Sequence, residues 1–166
     1  VTAEGVHPGS VGDPINGATF NLIADKVTVK NDVLNTGGSA ARYQYSGMTE
    51  HVPEAGFNVI GSENKFLGTF NNENNALLSI SGGTGNQFNK IINGLHETGG
   101  SAAELRTKVL VTGTQNLGDF TNYAELDLTG AQKTSISLTN MGGETKLSGD
   151  SDGFVFEKLD IKGGSV

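Results

Sequence analysis

Apolar residues in this chain occur in short runs of roughly four to eight residues, separated by breaks rich in glycine and asparagine. The clearest run is YAELDLTG at 123–130, in which Leu126 and Leu128 alternate with Glu125 and Asp127. A period of two is that of a β-strand with one buried face and one solvated face. The pattern therefore predicts short strands rather than helices along most of the sequence.

The same rule predicts an all-β protein of about ten to twelve strands. The predicted strands lie at 18–24, 26–30, 57–61, 64–70, 76–81, 86–94, 105–113, 123–130, 134–140, 144–149 and 153–161. Asn93-Gly94 best fits a type I′ hairpin turn, and the polar run 71–75 fits a loop tip. Ser101–Glu104 matches a capping box that would open one short helix; the alternative is a strand that starts directly at Leu105.

Two short sequences recur. Phe-Asn-x-Ile occurs at 20–23, 57–60 and 88–91, and TGGSAA occurs at 36–41 and 98–103. A β-solenoid needs one fixed coil length, but the offsets are 37 and 31 for the first repeat and 62 for the second. We therefore expect an antiparallel β-sandwich of the jelly-roll kind, with a β-solenoid as the alternative.

Three segments differ in pattern. Residues 1–17 contain four glycines and two of the three prolines without periodicity, which predicts an extended N-terminal arm. Residues 18–161 form a single predicted β domain, and 162–166 a flexible C-terminal tail. Two explanations of the first residue, Val1, remain open, removal of an initiator methionine and cleavage of a leader.

Charge and composition exclude some partners and leave the compartment open. The chain has 11 Lys+Arg against 18 Asp+Glu, a net charge of −7. Nucleic-acid binding normally needs a basic face, so we expect no nucleic acid as partner. No apolar stretch approaches the roughly 18 residues of a spanning helix, so no membrane span is expected. Cysteine is absent, which removes disulfides and thiolate metal sites.

One loop offers metal-binding chemistry. Asp150 and Asp152 alternate in a glycine-bounded loop, and carboxylate oxygens are the ligands Ca²⁺ prefers. The match to an EF-hand fails at its twelfth position, which is Ile161, and a plain Asp-Gly turn is the alternative interpretation. We name the two aspartates as the candidate calcium ligands and expect no other cofactor. The stretch 81–88 resembles a phosphate loop only in its glycines, because the Gly-Lys-Ser/Thr ending is missing.

The sequence favours a structural role. An acidic, cysteine-free domain of short strands and tight turns is typical of surface-exposed assemblies, such as capsid decorations and extracellular filaments. We expect a non-enzymatic subunit of a virion or extracellular lattice or fibre, held to itself or to a larger lattice by strand edges and the N-terminal arm. One alternative is an adhesin-like module that binds a glycan or a cell surface. The other is a polysaccharide-active enzyme, which the absence of Trp disfavours.

Overall fold

The computed structural model describes residues 2–4, 18–37, 55–74, 76–94, 107–148 and 153–165. These residues contain thirteen strands and no helix. All thirteen strands belong to a single parallel sheet that is shaped like half a barrel. The strands are β1 (Thr2–Glu4), β2 (Ala18–Leu22), β3 (Thr28–Val29), β4 (Val33–Thr36), β5 (Ala55–Val59), β6 (Lys65–Glu73), β7 (Ala76–Ile80), β8 (Gln87–Asn93), β9 (Lys108–Gly113), β10 (Asn116–Asn122), β11 (Glu125–Ala131), β12 (Ser135–Lys146) and β13 (Val155–Ser165).

The sheet consists of two ladders between which the chain alternates. Ladder I contains β4, β6, β8, β10, the first half of β12, and β13, with β1 beside β4 and β3 beside β6. Ladder II contains β2, β5, β7, β9, β11 and the last part of β12. Strand β12 joins the ladders, because 135–140 pair with β10 and 144–146 pair with β11. Each full passage through both ladders is called a winding below.

The predicted antiparallel sandwich is wrong, because every strand pair in the described sheet is parallel. A half-buried strand shows the same alternation of apolar and polar residues in either orientation, so the pattern could not distinguish them. The solenoid alternative is not shown either. The register partners Val33, Phe70, Ile91, Phe120 and Leu138 are 37, 21, 29 and 18 residues apart, so the windings share no fixed length.

The core lies between the two ladders. Phe57 of ladder II meets Phe70 of ladder I edge-on, with ring centroids 5.0 Å apart. Phe66 and Phe88, neighbours within ladder I, stack at 4.4 Å. These side chains are almost fully buried, and burying one phenylalanine stabilises a fold by about 1.5–3 kcal/mol. The prediction that Leu126 and its alternating neighbours face the core is confirmed.

Five inward-facing asparagines run along one corner of ladder I, and we call them the asparagine ladder. Its members are Asn35, Asn72, Asn93, Asn122 and Asn140, each 0% exposed. The Nδ2 group of each donates to the Oδ1 atom of the next, at 2.7, 2.9, 2.8 and 2.8 Å in chain order. Each Nδ2 group also donates to a backbone carbonyl at the corner where the chain leaves ladder I. The amides thereby satisfy buried backbone groups and fix the register.

The asparagine ladder corrects two turn predictions. The Asn93-Gly94 hairpin is wrong, since Asn93 is a member of the ladder and the chain continues toward ladder II with Gly94 at φ +86°. The loop tip at 71–75 is also wrong in part, because Asn71 and Asn72 belong to β6. Asparagine here serves as a buried hydrogen-bonding residue, a use that composition alone does not separate from turn formation.

A second set of polar side chains supports the opposite corner. The side-chain oxygens of Asn64, Asn86, Gln115 and Thr134 accept from backbone N–H groups of the preceding winding, at 2.8, 2.9, 3.0 and 3.2 Å. All four side chains are buried. Because each oxygen replaces a carbonyl that the turn removes from the ladder, the windings stay in register through both corners.

The predicted terminal segments are described only in part. Within the predicted arm, residues 2–4 form β1 and pair with β4; the rest of 1–17 lies outside the described residues. Within the predicted tail, residues 162–165 belong to β13. TGGSAA falls mostly outside the described residues, as does the candidate helix at 101–104.

Candidate functional site

Strand β13 forms the C-terminal edge of the sheet. It is 11 residues long and pairs with β12 on one side, and the described residues provide no strand for its other side. Its N–H and C=O groups on that side are a template for another strand. We call this surface the β13 edge.

The core is uncovered at the β13 edge. Leu159 lies in register beside Leu138, and Ile161 beside Asn140; the two β12 residues are fully buried, whereas Leu159 and Ile161 are 47% and 52% exposed. Leu159 and Ile161 each continue a row of buried side chains that crosses the strands of ladder I. A monomer whose core is fully covered would therefore bury them. The end of the sheet thus presents apolar side chains beside backbone groups without a partner in the described part of the chain, a combination typical of an interaction surface.

Charges alternate along the same strand. Lys158 and Asp160 lie beside Ser137 and Thr139 of β12, on the face of the sheet that points away from the core. Among the described residues, these charges form one ion pair, between Lys162 Nζ and Asp160 Oδ2 at 3.3 Å, and both side chains are about a third or more exposed. An exposed pair of this kind contributes about 0–1 kcal/mol, so these charges remain available to a partner strand.

Among the described residues, the free edge of ladder II is uncharged, in contrast to the β13 edge. Its edge strand, β2, has the sequence ATFNL without a charged residue. Phe20 is 39% exposed, and its ring lies 4.7 Å from that of Phe57. This pairing explains the offset of 37 between the first two Phe-Asn-x-Ile copies, which are register partners in β2 and β5. The third copy lies in ladder I, so the three are not equivalent.

An ion network crosses the outer face of ladder II. Lys108 Nζ lies 2.9 Å from Asp127 Oδ2 and 3.1 Å from Glu125 Oε1, while Lys146 Nζ lies 2.9 Å from Glu125 Oε1 and 3.5 Å from Glu144 Oε2. Every carboxylate has an ammonium partner on the same or a neighbouring strand. The network therefore supports the register of β9, β11 and β12.

The network shifts the pKa values of its members. Burial alone would raise the pKa of Asp127, but hydrogen bonds from Thr129 and Lys108, with the Lys108 charge, lower it to about 2. Burial likewise opposes the ionisation of Glu125, and its bonds to Lys146 and Lys108 lower its pKa below the usual range. The carboxylates are thus held ionised, which is the opposite of what a general acid at neutral pH requires.

A shallow cleft lies on the outer face of ladder I. It has a volume of about 360 Å³ and is lined by Lys26, Thr28, Glu63, Lys65, Gly85 and Gln87. Lys26 Nζ and Glu63 Oε2 are 3.8 Å apart at its rim, and both are largely exposed. The lining offers hydrogen-bond donors and acceptors of both charges but none of the aromatic rings on which sugars usually stack.

The calcium prediction is not addressed by the structure. Asp150 and Asp152 both lie outside the described residues. The described residues hold no group of three or more metal-ligating side chains of the His, Cys, Asp and Glu types. Within the same residues no helix has the length and apolar character needed to cross a membrane.

Sequence reasoning missed the β13 edge. The run GFVFEKLDI was predicted as a strand, but an edge strand and an inner strand have the same alternation. One signal was available, since Glu157, Lys158, Asp160 and Lys162 make this strand more charged than those of the core, and charges are typical of edge strands.

Comparisons with known proteins give no relative for this chain. No protein family, no curated protein and no solved structure matches it. The functional argument therefore depends on the geometry of the sheet and its edges.

Proposed function

We propose that this protein is a non-enzymatic structural subunit that assembles through its sheet edges, into a surface lattice or fibre outside the cell or on a virion. The observation that carries the proposal is the β13 edge, where backbone groups that no described strand pairs lie beside the exposed side chains of Leu159 and Ile161. Natural monomers usually protect such an edge. The hydrogen-bonded corners and cross-strand ion pairs supply the rigidity that a building block needs.

Light scattering after size-exclusion chromatography, together with negative-stain microscopy, tests this proposal. We expect oligomers or ordered particles whose size grows with concentration. A double variant, Leu159→Lys with Ile161→Lys, should shift the protein to monomer, because charges that point inward on an edge oppose strand addition. Leu67→Lys is the matched control, since Leu67 is 52% exposed on an inner strand. A wild-type protein that stays monomeric throughout, or an edge variant that assembles as well as the control, would contradict the proposal.

The cleft supports a second candidate function, an adhesin-like module that binds a glycan. Its two lysines, with Glu63 and Gln87, can hydrogen-bond to hydroxyl or carboxylate groups of a sugar. A glycan array with wild type and a Lys65→Ala variant tests this candidate. Hits that the variant loses would support it, and an array without hits would count against it. The third alternative, a polysaccharide-active enzyme, stays a prediction without a specific observation behind it.

A further inference from the structure

We infer that the partner of the β13 edge is β13 of a second copy of this chain, paired antiparallel across a two-fold axis at Leu159. This inference rests on the proposed function, which requires the β13 edge to be an interface but leaves its partner open. The argument uses the charge pattern of the strand, the position of its apolar side chains and the character of the other sheet edges.

The charge pattern of β13 is self-complementary when the axis lies at Leu159. With the axis at Leu159, Lys158 of one copy lies opposite Asp160 of the other, and the two-fold axis creates this pair twice. Cross-strand pairs of opposite charge stabilise a sheet, whereas like charges directly opposite destabilise it. An axis at Asp160 would instead place Lys158 opposite Lys162 twice. An axis at Ile161 would set Asp160 opposite Lys162, but these two residues already form an ion pair within the strand at 3.3 Å. That register would also leave Lys158 opposite Gly164, without a charge partner. Electrostatics therefore favours the register at Leu159.

The same register covers the uncovered core. Leu159 lies directly opposite Leu159 of the second copy, and each Ile161 is diagonal to it, within reach of a large side chain. These residues continue the columns of Leu138 and Asn140 in ladder I, so pairing joins the two cores across the axis. Glu157 would lie opposite Ile161 in this register. Because Glu157 is a bulged residue that the pairing with β12 skips, the regular part of the antiparallel pair would begin at Lys158.

The two ends of the main strand order are poorer partners. A head-to-tail contact would set β13 against β1 or β2 of the next copy. β1 has three residues against the eleven of β13, and β2 has no charged residue. Neither strand offers a charge partner to both Lys158 and Asp160. The antiparallel pair of β13 strands leaves neither charge without one.

A charge-swap series tests the register. Lys158→Glu alone places two pairs of carboxylates across the interface, and Asp160→Lys alone places two pairs of ammonium groups there. We expect each single variant to weaken dimerisation roughly tenfold or more, because two attractive pairs become repulsive. The double variant Lys158→Glu/Asp160→Lys should restore dimerisation to near the wild-type value. Lys90→Glu, an exposed lysine on the inner strand β8, is the matched control and should leave it unchanged.

Disulfide trapping gives an independent readout, because the chain has no cysteine of its own. A two-fold axis at residue 159 brings that position opposite itself, at the separation a disulfide spans. Leu159→Cys should therefore form a covalent dimer under mild oxidation, at a dilution where the slightly more exposed control Leu67→Cys stays monomeric.

The outcomes separate the inference from the proposed function. If wild type assembles but the double swap does not recover and Leu159→Cys does not crosslink, the register is overturned while the assembly role stands. Crosslinking of Leu159→Cys no faster than the control has the same meaning. If wild type is monomeric in every assay, both fail.

Discussion

Removing one member of the asparagine ladder should destabilise the protein far more than removing its neighbour in the same strand. Asn72 accepts from Asn35 Nδ2 at 2.7 Å and donates to Asn93 Oδ1 at 2.9 Å. It also donates to the backbone carbonyls of Lys108 and Ala76, at 3.0 and 3.2 Å. The two hydrogens of Asn72 Nδ2 serve these three acceptors. Truncation to alanine removes every one of these contacts and leaves buried partner groups unsatisfied.

The expected magnitude follows from these bonds. At a net value of about 1 kcal/mol per hydrogen bond, and more where a buried group loses its partner, Asn72→Ala should lower the free energy of unfolding by about 3–5 kcal/mol. Asn71 precedes it in β6 but is only half-buried, and its side chain makes a single bond of 3.5 Å to Val33 O. Asn71→Ala should cost about 0.5 kcal/mol or less.

Equilibrium unfolding in urea, followed by circular dichroism, measures both variants. If Asn72→Ala and Asn71→Ala lower the free energy of unfolding by amounts within about 0.5 kcal/mol of each other, the reasoning is refuted. The buried hydrogen bonds of Asn72 would then contribute no more than the half-buried side chain of Asn71. A double-mutant cycle sharpens the test. Asn72→Ala and Asn93→Ala should couple because they share a bond, whereas Asn35→Ala and Asn140→Ala, at opposite ends of the ladder, should be additive.

Two further predictions concern charge and backbone conformation. Asp127 has a folded-state pKa lowered from 3.8 to about 2, so it contributes stability that is present above pH 4 and is lost as the pH falls toward 2. The stability difference between wild type and Asp127→Asn, on the order of 2 kcal/mol at pH 6, should shrink over that window in acid titrations; a difference independent of pH contradicts the assignment. Gly118→Ala should destabilise by about 2–3 kcal/mol in thermal or urea unfolding, because φ is +56° and the added Cβ would overlap the carbonyl oxygen of Phe88. Gly56→Ala, whose Cβ would lie 3.6 Å from Thr19, is the control and should be neutral or slightly stabilising; equal losses would show that the close approach at Gly118 is not what matters.

Strand content followed from the sequence, but strand pairing did not. Alternation located Leu126 and Leu128 correctly in the core, because burial of one face leaves a period of two in any sheet. Orientation depends on which strands are neighbours, and here the neighbours are separated by passages of different length. The change from 37 to 18 residues per winding hides the period from a search for a fixed repeat.

One signal for the fold was present and was misinterpreted. Each asparagine of the ladder follows an inward apolar residue by two positions, as in Phe70-x-Asn72 and Phe120-x-Asn122. In a turn, asparagine adopts unusual backbone conformations; in a ladder it satisfies buried carbonyls in a regular strand. The sequence distinguishes these two roles, because a ladder asparagine occupies the next inward position of an alternating strand and a turn asparagine does not. The β13 edge was less accessible, since nothing local marks a strand as the last in a sheet.

The unequal windings have a consequence for how the chain folds. Closing a loop of 37 residues costs about 0.6 kcal/mol more in chain entropy than closing one of 18 residues. Pairing is therefore favoured to start at short windings, such as the one that joins β10 to β12, and to reach the 37-residue winding between β4 and β6 later. Synthesis runs in the other direction, so β4 and β6 leave the ribosome before β12. These N-terminal strands are thus made first and paired late.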